Sequence, residues 1–78
     1  MNAKKVETIV ARVLGVKEET ISDETSPANT EEWDSFNGLL LATELEKEFD
    51  VRFSIDEVVS VKKLADIKAA LRRHGKEV

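Results

Sequence analysis

The chain has 78 residues, about half the usual domain length, which leaves room for one domain, residues 1–78. Its 16 acidic and 12 basic side chains give a net charge of −4, which disfavours nucleic acid as a partner, while 41% hydrophobic residues suffice for a small core. With no cysteine there is no disulfide framework, thiolate metal site or cysteine nucleophile, and the longest apolar run, Leu39-Leu40-Leu41-Ala42, falls far short of a membrane span. No apolar signal segment follows the first residues, so a cytoplasmic location is expected, and the chain is read as a monomer. A chain this short rarely holds a complete enzyme site, so a carrier or binding module is expected and an enzyme is not.

Val6, Ile9, Val10, Val13 and Leu14 recur at spacings of three and four, which predicts helix one over residues 3–14, with Gly15 at its end. Residues 16–33 have no helical period and contain the only proline. They predict a long loop, pegged to the core by Val16 and Ile21, and a loop of this length usually has a task. Helix two is predicted from Ser35 to Phe49. At about 100° per residue, Gly38, Leu41, Ala42, Leu45 and Phe49 share one core-facing sector. Phe36 and Leu40 fall nearly opposite, beside Thr43 and Lys47, and Leu39 sits on the flank. Ser54-Ile55-Asp56-Glu57 fits a capping box and predicts a short helix three carrying Val58 and Val59. Ser60 is expected to cap the next helix, whose apolar stripe is Val61, Leu64, Ile67 and Leu71. Its last turn holds Arg72, Arg73 and His74, where cations favour the helix dipole, and Gly75 closes it. Nothing reads as a strand. The expected fold is an all-α four-helix bundle, three main helices and one short one, with helix two returning antiparallel to helix one at some distance.

Charge is uneven along the chain. Residues 31–57 carry nine acids and two bases, a net of −7, whereas residues 58–78 carry six bases and two acids, a net of +4. The acidic block is centred on helix two and implies a basic partner surface there. Glu46, Glu48, Asp50, Asp56 and Glu57 lack the glycine-centred spacing of an EF-hand and are read as a solvated face that meets such a partner. His74, the only histidine, has no nucleophile and base arranged with it in the sequence and is read as a cation at a helix end.

Asp34-Ser35 begins helix two. Both residue types are favoured helix caps, so plain capping accounts for an arbitrary pair of this kind. A hydroxyl at a helix start is also exposed on a rigid element, next to free N–H groups that favour an attached phosphate. Trp33-Asp34-Ser35-Phe36 resembles the Asp-Ser-Leu motif of acyl carrier proteins. Leu45-Glu46-Lys47-Glu48-Phe49 resembles that family's Leu-Glu-x-Glu-Phe segment, and Leu14-Gly15-Val16 its Leu-Gly-Val after helix one. The resemblance covers roughly residues 3–73. It implies 4′-phosphopantetheine on Ser35 through a phosphodiester, with Asp34 beside it, and an acyl thioester on the thiol of the arm. Implied partners are a phosphopantetheinyl transferase and acyl-activating, acyl-transferring or condensing enzymes with basic docking surfaces. They would meet Phe36, Leu39, Leu40, Glu46, Glu48, Val58 and Val59. Trp33 is expected to anchor the end of the loop or to touch the arm or a partner. Phe36 in place of leucine, Leu40 where many fatty-acid carriers have an acid, and the basic C-terminal stretch imply a specialised carrier. The alternative is a small helical interaction domain without a prosthetic group, in which Ser35 is only a cap.

Overall fold

The protein is described from a computed structural model over residues 2–78. The helices are α1 (Asn2–Leu14), α2 (Ser35–Phe49), α3 (Ile55–Ser60) and α4 (Leu64–Arg73), with a turn of 3-10 helix at Glu18–Thr20 in the long loop. No strand occurs among the described residues. The all-α expectation therefore holds, with α3 as the short helix.

The apolar stripes meet as their periods require. Val6, Ile9, Val10 and Leu14 of α1, Leu41 and Leu45 of α2, and Leu64, Ile67 and Leu71 of α4 form one core, joined by Trp33 from the loop. Val16 and Ile21 pack against that core, as their sequence positions suggest. Gly15 adopts φ 72° where the chain leaves α1, a backbone region that glycine enters without penalty. Asp50 takes the same left-handed conformation, φ 54°, after α2, a role acidic residues fill less often.

Helices α1 and α2 are direct neighbours rather than separated. Lys5 pairs with Glu48 at 2.9 Å and Arg12 with Glu44 at 3.4 Å. As α1 advances, its partner on α2 retreats, so the two run antiparallel.

The start of α4 differs from expectation. Ser60 is the last residue of α3, and α4 begins four residues later at Leu64, with Lys63 flanking it and giving no side-chain cap. The long loop serves instead. The Leu64 N–H donates to the Thr25 carbonyl at 2.8 Å and the Ala65 N–H to the Asp23 carbonyl at 3.0 Å. Free N–H groups at a helix start need acceptors, and tertiary carbonyls satisfy them as well as a local serine does. The loop that offers them is itself ordered: Ser22 N–H donates to Thr25 Oγ1 and Ser26 N–H to Asn29 Oδ1. Below this junction the buried Lys68 ammonium donates to Asp23 Oδ1 and Glu7 Oε2, both at 2.7 Å, tying α4 to the loop and to α1. Burial alone would lower the lysine pKa, but the hydrogen bonds from Asp23 and Glu7 and their charges outweigh it, so the group is held above its ordinary value.

Candidate functional site

Capping and exposure are divided between Asp34 and Ser35. Asp34, in extended conformation, accepts the Asn37 N–H on its side chain at 2.8 Å and is the cap of α2. Ser35 is the first helical residue, solvent-exposed, and its hydroxyl makes no hydrogen bond among the described residues. The cap is thus filled without the serine, whose Oγ stands free at the positive end of a 15-residue helix. Asn37 fixes the approach by donating its side-chain amide to the Glu32 carbonyl at 2.8 Å.

Beside Ser35 a cavity of about 660 Å³ opens between α2 and α3. Gly38, Leu39 and Ala42 form its α2 wall, Val58 its α3 wall, and Ile67 closes it from α4. Trp33 adjoins both cavity and core and is 6% exposed. Its indole edge lies over Gly38, where an added Cβ would stand 3.3 Å from Nε1. Glycine inside a helix costs about 1 kcal/mol relative to alanine, and this approach is its physical reason.

The α3 wall is lightly held. None of the six residues of α3 is fully buried. Its capping box is formed: Glu57 N–H donates to Ser54 Oγ and Ser54 N–H to Glu57 Oε1. The same carboxylate meets His74 Nε2 at 3.1 Å and Arg73 at 3.6 Å, and the His74 ring packs edge-on against Phe53. The Ser54 N–H, with His74 next, lowers the pKa of Glu57 below 4.5. His74 is therefore more than a cation at a helix end, because it joins α4 to α3.

The expected outward patch exists. Phe36 is 68% exposed and Leu40 41%, and Leu39 is more exposed than its flank position suggested, at 62%. Val59 is exposed, whereas Val58 turns partly inward to the cavity wall. Ile55, at the first position of α3, is 80% exposed and extends the patch. The capping box had located it at a helix start, but its outward direction depends on how α3 docks.

Two acids assigned to partners have structural roles. Glu46 is half-buried and accepts the Phe53 N–H on Oε2 at 2.8 Å, which fixes the α2–α3 connection. Glu48 faces α1 and pairs with Lys5, which with its hydrogen bond lowers the Glu48 pKa. Neither is a free rim charge. Asp56, by contrast, is exposed on α3 with no side-chain partner among the described residues. No signal in the sequence links Glu46 to a backbone donor seven residues away.

The family model for a phosphopantetheine attachment site matches residues 4–71. A solved structure described as a proposed acyl carrier protein from Mycobacterium tuberculosis superposes with a TM-score of 0.80 at 23% sequence identity, covering 90% of this chain and 93% of that one. Among the described residues no helix is long and apolar enough to cross a membrane. The match over residues 4–71 settles the family: the chain belongs to the phosphopantetheine-attachment proteins, whose domains carry 4′-phosphopantetheine.

Proposed function

We propose that Ser35 is the attachment residue and that residues 1–78 act as a single acyl carrier unit. The supporting observation is the division of labour at the start of α2: Asp34 caps, and the Ser35 hydroxyl is exposed without a partner among the described residues at the edge of the α2–α3 cavity. The N-terminal N–H groups and dipole of α2 favour a phosphodiester at this position. When bound, the arm supplies a thiol that holds an acyl group as a thioester. The chain itself performs no catalysis; it orients the arm, offers apolar shelter and presents the cargo to successive enzymes.

A phosphopantetheinyl transferase and acyl-activating, acyl-transferring or condensing enzymes are its partners, in the cytoplasm. The exposed Phe36, Leu39, Leu40, Ile55 and Val59 supply a small apolar contact suited to brief, repeated encounters by a monomer. Acids near the patch, Asp56 among them, favour basic docking surfaces. Leu40 on the outward face of α2 and the basic C-terminal stretch favour a specialised pathway over general fatty-acid synthesis.

The test is incubation with coenzyme A and a broad-specificity phosphopantetheinyl transferase, read by intact mass. One arm should be added to the wild type and none to Ser35→Ala, with the helical content of both unchanged. Modification of Ser35→Ala would overturn the site, and an unmodified wild type would favour an interaction domain without a prosthetic group.

A further inference from the structure

Trp33 is the single tryptophan of the chain and is more than nine-tenths buried. A buried indole N–H ordinarily finds an acceptor. Trp33 Nε1 has none among the described residues. Glu7 Oε1 is the one fully enclosed side-chain polar atom without a partner among those residues, so the indole N–H keeps an opening to free space. The space that Trp33 adjoins is the α2–α3 cavity, which Ser35 and Gly38 also line. Its N–H edge, Nε1 and Cδ1, would stand 3.3 and 3.7 Å from a Cβ at position 38, and glycine leaves that side clear. An unpaired donor therefore sits two residues from Ser35, on the same cavity.

We infer that the Trp33 indole N–H is a docking donor for the 4′-phosphopantetheine arm, with an amide carbonyl of the arm as acceptor. The inference rests on the proposed role of Ser35. An indole N–H only donates, so its ligand must bring an oxygen acceptor. The charged phosphodiester stays with water and the start of α2, because moving it to an apolar wall is costly. A thiol or thioester sulfur accepts weakly. The neutral amide carbonyls of the arm are strong acceptors and tolerate the edge of an apolar cavity. Trp33 then both closes the core and selects arm conformations that lie against α2.

The chain has one indole, so its N–H gives one resonance in a ¹⁵N-labelled sample. Apo protein and protein converted by the transferase, with conversion established by mass, are compared in position and hydrogen exchange of that resonance. Conversion should move the resonance and slow its exchange about 5-fold, the factor contributed by one hydrogen bond of ordinary strength. Gly38→Ala, which pushes the indole edge aside, should diminish the slowing in whatever fraction of that variant mass shows to be converted. Trp33→Phe keeps a ring and loses the donor, so any gain in melting temperature on conversion should shrink in that variant. Full conversion with unchanged exchange, even if the resonance moves, overturns the inference and leaves the role of Ser35 intact. Failure to convert overturns both.

Discussion

The junction of the loop with α4 and the groove between α2 and α3 lie on the same core but treat their polar and apolar groups in opposite ways. At the junction, the N–H groups of Leu64 and Ala65 receive loop carbonyls, and the buried Lys68 ammonium is matched by two carboxylates. In and beside the groove, Leu39 and Val59 on its walls and Phe36 and Ile55 outside them face solvent, the Ser35 hydroxyl has no partner among the described residues, and α3 buries no residue fully. One side satisfies its groups within the chain and the other leaves them open to solvent. The absence of fully buried residues gives α3 low local stability, and on the proposed function that is the wall that yields to the arm.

Two leucines on α2 break the comparison most sharply. Leu45 is fully buried, so Leu45→Ala should cost about 2–5 kcal/mol, enough to unfold much of a domain this small. Leu39 is on the groove side, so Leu39→Ala should fall within about 0.5 kcal/mol of wild type. Chemical denaturation of both separates them, and equal losses would mean that the groove is core.

Lys68→Met removes the cation between Glu7 and Asp23. It should cost about 3 kcal/mol, because Glu7 keeps a largely buried carboxylate without its partner. The folded pKa of Lys68 is raised, so its stabilisation is complete below 10.5 and is lost as pH climbs through the folded value. Wild type should therefore lose stability on that alkaline limb, and the variant should not lose this component.

Glu57→Gln tests the hold on α3. Loss of the charged cap and its His74 contact should cost about 1 kcal/mol. The folded pKa of Glu57 is lowered, so its contribution is present above 4.5 and disappears as pH falls through the folded value. Denaturation midpoints across the acid range should be flatter in the variant, and an unchanged slope would free α3 from this contact.

The smallest effects on stability belong to Phe36→Ala and Asp56→Lys, each within about 0.5 kcal/mol. Their effects on binding to the transferase should differ in kind. Loss of the apolar ring should mainly speed dissociation, with little dependence on salt. Reversal of the free acid should mainly slow association and weaken its salt dependence. Melting well below wild type for Phe36→Ala would place that ring in the core.

Local pattern explains what was legible in the sequence. The spacing of Val6, Ile9, Val10 and Leu14 encodes a buried face, Ser54 and Glu57 encode a helix start, and the phase of α2 separates Leu45 from Phe36. What escaped are pairings between residues far apart in sequence. Lys68 reaches Glu7 and Asp23, Glu46 reaches the Phe53 N–H, and Glu57 reaches His74. Helical period says which way a side chain points relative to its own helix and nothing about which donor waits opposite. Ser60 shows the same limit from the other side: the residue suits a cap, but loop carbonyls meet the need at Leu64. At the site, Asp34-Ser35 was legible from its motif, whereas the cavity and the clear face of Gly38 emerge only when α2, α3 and α4 are assembled.

Hydrogen exchange of apo protein against the fully converted, acyl-loaded protein tests the division of the molecule most directly. Protection should rise in residues 33–45 and 53–61, which wall the groove, while residues 5–14 and 22–26 keep their apo rates. A complete conversion by mass with protection rising equally throughout, or only around the loop–α4 junction, would contradict the assignment of the α2–α3 groove as the place where the arm and its cargo are received.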